Sequence, residues 1–462
     1  MTASSSTPQE SQGPASAVSA ATTGAYVAKV VDLVDANSQH LIGLGLDEAR
    51  GRVLSDDAEG VRSIVGSFAI TARDGEIVRM ARSLDRPLRF FLAKEVEGPM
   101  LVVAERIDEI GAYLEQLGYG DQFHPSYTRM VPAHHITTLR LIGCPDPNPV
   151  HRRFFEPSMG TLPADLDVIG ERYVGALLDE VGAWLDAQDE KEPIGVLFSG
   201  GIDSGAVLLA MHHQILAKGQ SAARLKAFTL AVDGGGEDLE QAREFLRRTD
   251  LGFLGEAIDA PASAVDPLAA VEVIEDYKPL DVECAAVALA LLDGVRSRYP
   301  DWLLVADGDG GDENLKDYPI EENPELTIRS VVNNSMLYQE GWGVDAVKHS
   351  QTYSGGYSRG CVRTWAPVRR FDFQGFSPFT RPSLLAVAEA IPFKALTDGS
   401  HERLYALKGE VVRRGMKHHL GIDMPVFPKR RFQHGAVPEA HAARFDVPRH
   451  RYRRHFLGLY AS

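Results

Sequence analysis

The sequence predicts two folded parts, an α+β unit followed by an α/β domain whose strands form a doubly wound parallel sheet. Short alternating runs broken by turns fill residues 25–157, which is typical of paired strands. From residue 162 onward, short apolar runs alternate with helical patterns, as in a parallel sheet covered on both faces. The length of 462 residues also exceeds what one ordinary core accommodates. We therefore expect domains at residues 25–157 and 162–462.

The first 24 residues are rich in Ser, Thr, Ala, Pro and Gln. Such a segment buries too little apolar surface to offset its ordering entropy, so we expect a disordered tail over residues 1–24. It lacks the basic start and the apolar stretch of a secretion signal.

Several strands are predicted in the first part: Ser63–Thr71, Ile77–Met80, Met100–Ala104 and His135–Leu139. Asp74 and Gly75 separate the first two and favour a hairpin. A helix is expected over residues 107–117.

In the second part the predicted strands cover residues 194–198, 226–232 and 302–306. The predicted helices cover residues 165–186, 204–218 and 284–298, and another starts near Asp238. The remainder, from Tyr318, is expected to be mostly helical with long connections, and its basic end, Arg449–His455, to be a solvated terminus.

Composition narrows the function classes. The formal net charge of −16 disfavours a tRNA or DNA substrate, because an acidic chain repels the phosphate backbone. No apolar run reaches the roughly 18 residues of a membrane-spanning helix. Cys144, Cys284 and Cys361 are far apart and odd in number, so we interpret them as buried side chains in a cytoplasmic protein.

The sharpest functional pattern is SGGIDS at residues 199–204, between a predicted strand and a predicted helix. Glycines let a backbone approach a phosphate, and hydroxyls with helix N–H groups hold an anion. An ordinary tight turn is the alternative, but the whole string in this context favours pyrophosphate binding. The candidate residues are Ser199, Gly200, Gly201, Asp203 and Ser204, with Asp203 placed for a phosphate-bound magnesium.

A second pattern, ADGDGGDE at residues 306–313, follows the third strand predicted in this domain. The carboxyl ends of parallel strands meet at one edge of a sheet, so this loop is expected to face the first. Two acidic loops at one phosphate site require cations between them. The alternative is a solvated acidic turn or an unrelated calcium loop, although the spacing is not that of an EF-hand.

These strings carry a resemblance. SGGIDS resembles the PP-loop of the ATP pyrophosphatase superfamily, which cleaves ATP to AMP and pyrophosphate, and the acidic string resembles the GEGSDE segment of asparagine synthetases. The resemblance makes Asp312 a metal ligand together with Asp203, and Gly308 part of the nucleotide site. Asp309 falls on a family Glu, which is Tyr in β-lactam synthetases and is tied to base chemistry. An Asp there is a departure: either it is a shorter-reaching base, or the base comes from elsewhere.

Two lysines extend the resemblance. Lys408 opens KGEVVRR, which is similar to a family helix whose Lys meets pyrophosphate. Lys429 stands in PKRRFQHG, which resembles a PKxxFxDG loop whose Lys stabilises charge as the acyl-adenylate collapses. A cation held in a water-excluded site contributes strongly to catalysis, because it stabilises the negative charge that develops in the transition state. A solvated charge is the alternative for both, and the surrounding matches favour Lys429 over Lys408.

The resemblance also assigns roles to stretches that match the family less well. The stretch Gly375–Phe379 stands where the family has an upstream Glu that assists the base, but this chain has Asp372 and Gln374 there. Glu275-Asp276-Tyr277 lies where the family places groups near the carboxylate substrate.

The first part resembles the second half of a glutaminase domain, at Gly66–Ile70, Arg82–Leu88 and Arg153–Pro157. The N-terminal Cys nucleophile is missing, since position 2 is Thr. The resemblance implies a truncated Ntn-hydrolase-like α+β domain without glutaminase activity. Thr2 as a nucleophile is the alternative, but a disordered tail would not preorganise it.

Taken together, the resemblance implies an AMP-forming ligase of adenine nucleotide α hydrolase-like fold that uses ATP and Mg2+ to join a carboxylate to an amine. It is more similar to the specialised branch, such as β-lactam synthetases and macrolactam-forming cyclases, than to housekeeping asparagine synthesis. The implied partners are small molecules, with no nucleic acid or membrane, and a homo-oligomer is left open. The alternatives are ammonia-dependent asparagine synthesis, an inactive scaffold, and a sulfur-transfer or tRNA-modifying PP-loop enzyme.

Overall fold

A computed structural model describes residues 29–95, 98–141, 148–317, 320, 326–337, 339–340, 361–428 and 435–461. The predicted tail, Cys144 and Lys429 lie outside these ranges. Within them, no helix is long and apolar enough to cross a membrane.

The first part contains short strands and few helices. Its strands are β1 (Lys29–Asp32), β2 (His40–Leu41), β3 (Gly66–Ser67), β4 (Ala69–Asp74), β5 (Ile77–Arg82), β6 (Arg89–Glu95), β7 (Gly98–Ala104), β8 (Arg129–Met130), β9 (His135–Arg140) and β10 (Val150–Arg153). Its helices are α1 (Leu46–Leu54), α2 (Ala58–Arg62) and α3 (Ile107–Gln116). The predicted hairpin at Asp74-Gly75 is confirmed, since Asp74 pairs with Ile77 and Gly75 has a φ of +56°.

Two four-stranded sheets form the centre of this part, in the orders β1-β7-β6-β8 and β10-β9-β5-β4. Their facing sides share one core that includes Met80, Phe90 and Val103. Helix α3 covers the outer face of the first sheet, and α1 with α2 covers the outer face of the second. The layer order is therefore helix, sheet, sheet, helix.

One predicted strand of this part is wrong in its extent. Residues 63–71 were expected to form a single strand, but the structure divides them into β3 and β4. The physical reason is a change of partner, because β3 pairs with β2 whereas β4 pairs with β5.

The second part is built on a five-stranded sheet in which all strands are parallel. Its strands are β11 (Ile194–Leu197), β12 (Leu225–Val232), β13 (Gly255–Ala260), β14 (Leu304–Ala306) and β15 (Gln374–Phe376), in the order β13-β12-β11-β14-β15. Its helices are α4 (Leu166–Asp186), α5 (Ile202–Ala217), α6 (Glu237–Arg248), α7 (Pro267–Ile274), α8 (Pro279–Arg298), α9 (Gly311–Asn314), α10 (Ile328–Asn333), α11 (Ala366–Arg370), α12 (Pro382–Ala390), α13 (Phe393–Thr397), α14 (His401–Leu420) and α15 (Arg449–Leu459).

Helices cover both faces of this sheet, which confirms the predicted parallel α/β arrangement. Successive residues of a strand point to opposite faces. In β14, Leu304 and Ala306 join the core formed with α4, α5 and α14. Val305, between them, joins the core formed with α7 and α8.

The C-terminal segment differs from the expected solvated terminus. It forms the helix α15, which buries Tyr452 and Phe456 against the core that contains α7 and α8. Its arginines point outward because the apolar residues occur four positions apart, on one face of the helix. Cys284 is buried, as its interpretation requires, in helix α8.

Candidate active site

The SGGIDS loop lies where it was expected, between β11 and the first turn of α5. The Ser199 amide donates to Ser204 Oγ at 3.3 Å, and the Gly201 amide donates to Ser199 Oγ at 3.3 Å. Gly201 is the N-cap residue of α5, and no side chain caps the first amide N–H groups of this helix. The start of this helix therefore presents backbone N–H groups and two hydroxyls suited to an anion.

Gly200 is required at its position by backbone geometry and by space. Its φ of +75° lies in the left-handed region. A Cβ atom there would also lie 2.7 Å from the backbone nitrogen of Ala242 in α6. The loop thus turns tightly against α6.

The acidic loop after β14 packs directly on the SGGIDS loop, as the parallel strand order predicts. A Cβ atom on Gly308 would lie 2.8 Å from the Ser204 amide nitrogen, and one on Gly311 would lie 2.2 Å from Asp203 Oδ1. Only residues without side chains permit this approach. The glycines of the acidic loop consequently set the distance between the two carboxylate-bearing loops.

Lys408 joins the two loops. Its Nζ atom donates to Asp203 Oδ2 at 2.5 Å, donates to Asp312 Oδ1, and lies 3.7 Å from Asp317 Oδ2. The side chain is buried on α14, with a relative exposure of 3%. Burial disfavours its charged form, but the three carboxylates outweigh that effect and raise the pKa of Lys408 above its ordinary value. The Lys408 ammonium therefore stays charged between Asp203 and Asp312.

The donor set fits Mg2+ when phosphate oxygens complete it. Asp203 and Asp312 supply two carboxylates at one position, and Mg2+ prefers a few carboxylates together with substrate phosphates. Among the described residues, no group of three or more His, Cys, Asp or Glu side chains forms a ready metal site. The remaining ligands would come from ATP and water.

Asp309 lies at the opposite end of the acidic loop, in contact with groups that the sequence did not single out. Thr364 Oγ1 donates a hydrogen bond to Asp309 Oδ2. Burial, together with repulsion from Asp307, raises the pKa of Asp309 to about 8. A carboxyl group with such a pKa changes protonation state near neutral pH, as a general base requires.

Asp307 holds the turn that presents Asp309. It accepts hydrogen bonds from the Asp309 amide at 2.9 Å and from Ser377 Oγ at 2.8 Å. Burial raises the pKa of Asp307 to about 6 in spite of these hydrogen bonds. Ser377 follows β15, so the stretch Gly375–Phe379 does support the acidic loop, although through a hydroxyl and not through Asp372 or Gln374.

The wall next to Asp309 is formed by α8 and by the turn that contains Arg363 and Thr364. Arg363 Nε donates to Asp281 Oδ1 at 3.0 Å, and an Nη atom lies 3.6 Å from Glu313 Oε1. Asp281 is fully buried in the first turn of α8. Arg363 thus places a partly buried positive charge beside the acidic loop.

Of the predicted site residues, the structure brings together Ser199, Gly200, Gly201, Asp203, Ser204, Gly308, Asp309, Asp312 and Lys408. Lys429 lies outside the described residues. Glu275 is turned toward the first part of the chain, where it contacts Arg89 and the start of α3. Arg363 and Thr364 could not be found from the sequence, because neither belongs to a recognisable string.

Fold and site together define an α/β protein with a glycine- and serine-containing loop at the carboxyl edge of a parallel sheet. Residues 183–355 match the family model described as asparagine synthase. Residues 183–355 are therefore similar to an asparagine synthase domain, and this similarity supports ATP-dependent formation of an amide bond. The match includes the SGGIDS loop and the acidic loop but not Lys408, Lys429 or the first part of the chain. No curated protein matches the sequence.

Proposed function

We propose that this protein is an AMP-forming ligase that adenylates a carboxylate and transfers the acyl group to an amine without hydrolysing glutamine. The observation that carries the proposal is the contact of Lys408 with both Asp203 and Asp312. It supports a single site in which the two strand-end loops and a buried cation surround a polyphosphate.

In this proposal the ATP phosphates lie against the start of α5. The N–H groups of that helix and the hydroxyls of Ser199 and Ser204 hold phosphate oxygens. Asp203 and Asp312 would hold Mg2+, which would neutralise phosphate charge. Lys408 contacts the departing pyrophosphate and balances the charge that accumulates on it.

The acyl transfer takes place on the Asp309 side of the site. The substrate carboxylate attacks the α-phosphorus, and an amine then attacks the acyl-adenylate. Asp309 accepts a proton from the amine, with Thr364 orienting its carboxylate. Lys429 stabilises the negative charge that develops as AMP departs.

The proposal also includes a source for the amine. Nitrogen then comes from free ammonia or from an amine carried by a substrate, as in specialised biosynthesis of antibiotic-like amides. The alternative is ammonia-dependent asparagine synthesis, in which aspartate and ammonium are the substrates.

The test is pyrophosphate release from ATP and Mg2+, screened across amino acids and amino-carboxylates with glutamine or ammonium present or absent. We expect release that depends on one carboxylate and is indifferent to glutamine. Release with aspartate and ammonium would select the alternative. Release that rises with glutamine, with glutamate formed, would contradict the proposal. If no candidate gives release, ATP binding decides: failure to bind ATP with Mg2+ would indicate an inactive scaffold.

A further inference from the structure

Glu275 is a buried carboxylate at the boundary between the two parts of the chain. It follows α7 and precedes α8, with a relative exposure of 2% and a φ of +52°. A left-handed backbone is uncommon for a residue with a side chain and persists only where the surroundings fix it. The neighbours of Glu275 therefore determine the turn between the two helices.

Those neighbours come mainly from the first part of the chain. Glu275 accepts hydrogen bonds from the amides of Ile107 at 2.9 Å and Asp108 at 2.8 Å, so it caps the start of α3. Arg89 Nη1 lies 3.3 Å from Glu275 Oε2. The hydroxyl of Tyr460, from the C-terminal end of the chain, donates to Glu275 Oε1 at 3.2 Å.

Arg106 makes the reverse contact. One Nη atom donates to the carbonyl oxygen of Val273 at 2.6 Å and the other to that of Glu272 at 3.2 Å, at the end of α7. The negative charge of Glu275 at the start of α3 and the positive charge of Arg106 at the end of α7 both interact favourably with the helix dipoles. The start of α3 and the end of α7 thus cap each other across the boundary.

The turn at Glu275 is followed directly by α8, which contacts the active site. Asp276 accepts hydrogen bonds from the amides of Tyr277 at 2.6 Å and Lys278 at 2.9 Å, which sets the start of α8. Asp281, in the first turn of α8, holds Arg363, and the next residue, Thr364, holds Asp309. A continuous series of contacts therefore runs from α3 to the carboxyl group of Asp309.

We propose that Glu275 is a positioning residue through which the first part of the chain fixes α8, Arg363 and Thr364 against Asp309. The inference rests on the proposed function, in which Asp309 accepts the proton of the amine. It gives the first part a role that requires no glutaminase chemistry: it supports the amine side of the site. The phosphate side is held by other contacts, those of Lys408 with Asp203 and Asp312.

The test separates the two half-reactions in the full-length enzyme. In Glu275→Gln the carboxylate charge is lost and the amide group faces two backbone donors with one acceptor oxygen. We expect the initial burst of pyrophosphate release to stay within about 2-fold of wild type, whereas amide formation slows by about 10- to 100-fold, the range that small displacements of reacting groups cause. The pH dependence of amide formation is also expected to shift, because the surroundings of Asp309 change.

Two further variants keep the test decisive. Tyr460→Phe removes one hydrogen bond to Glu275 and is expected to show the same selectivity with a smaller effect. Arg153→Met breaks a different bridge between the two parts, the pair of Arg153 with Glu340 at 2.7 Å, and is expected to affect both half-reactions equally. Equal slowing of both half-reactions in Glu275→Gln and Tyr460→Phe, or no effect in either, would overturn the proposal.

Failure of the proposed function is distinguishable from failure of this inference. If wild-type enzyme neither releases pyrophosphate with any candidate nor binds ATP with Mg2+, the proposed function fails first. Hydrogen exchange over residues 276–284 then tests the positioning itself. Faster exchange there in Glu275→Gln than in Arg153→Met supports it, and unchanged exchange overturns it.

Discussion

At the scale of single residues, Lys408 is the cation on which the phosphate side of the site depends. Its ammonium group is buried and touches carboxylates from both acidic loops. Removing one partner from a buried ion pair leaves the other charge uncompensated, at a cost of about 3–5 kcal/mol. The residue is therefore expected to matter for stability as well as for catalysis.

Lys408→Met is predicted to lower the melting temperature and to reduce pyrophosphate release by about 10²- to 10³-fold, the range found when one preorganised charge-stabilising donor is removed. Calorimetry and the pyrophosphate assay measure the two effects. Lys417→Met is the matched control, because Lys417 is an exposed lysine of the same helix whose ammonium group donates to the carbonyl oxygen of Gly421. A Lys408→Met enzyme with wild-type turnover would remove Lys408 from the mechanism.

Asp309 makes a pH-dependent contribution to stability. Its pKa is about 8 in the folded protein and near 3.8 when unperturbed. Between these values the folded state retains a proton that the unfolded state has lost, so this group lowers the free energy of unfolding as the pH rises.

Asp309→Asn is consequently predicted to be stabilising relative to wild type, with a difference that grows from pH 5 toward pH 8. The comparison is made by thermal unfolding without nucleotide and with a chelator present. The same variant is expected to lose amide formation, because an amide side chain accepts no proton. A melting-temperature difference that does not change with pH would mean that Asp309 is already ionised in the folded protein.

At the scale of elements, the position of α14 determines where Lys408 lies. Helix α14 packs closely along α4, and a Cβ atom on Gly415 would lie 2.2 Å from the carbonyl oxygen of Gly170. Backbone atoms cannot give way as flexible side chains do, so any side chain at position 415 separates the two helices. Lys408 lies two turns earlier on the same helix and would move with it.

Gly415→Ala is therefore predicted to lower the melting temperature and to raise the KM for ATP. Gly51→Ala is the control, because Gly51 lies within helix α1 with open space around its Cβ position. That control is expected to be neutral or to stabilise by up to about 1 kcal/mol, since Ala is the better helix former. An unchanged KM in Gly415→Ala would show that the helix contact does not position Lys408.

At the scale of the whole molecule, the spacing of apolar residues along the chain predicted many of the strands and helices. The alternation of apolar runs and helices predicted the parallel sheet, and strand-end geometry predicted that the loops at Ser199–Ser204 and Ala306–Glu313 meet. The strands β13 and β15 were missed. Strand β15 has only three residues, and its pairing with β14 joins positions about 70 residues apart.

The features that could not be predicted are contacts between segments that lie far apart in the sequence. Nothing local in the sequence indicates that Lys408 touches two carboxylates, that Thr364 holds Asp309, or that Glu275 caps α3. Each of these contacts joins residues more than 50 positions apart. The residue types at the site were therefore predictable from strings, whereas their partners required the folded chain.

The most direct test of the central claim is the fate of the carboxylate oxygen. Wild-type enzyme is incubated with ATP, Mg2+ and candidate carboxylates labelled with heavy oxygen, and the nucleotide product is analysed by mass spectrometry. Adenylation predicts AMP that carries one labelled oxygen from the carboxylate, formed together with pyrophosphate. Formation of ADP and phosphate, or of AMP without label during turnover, would contradict the account.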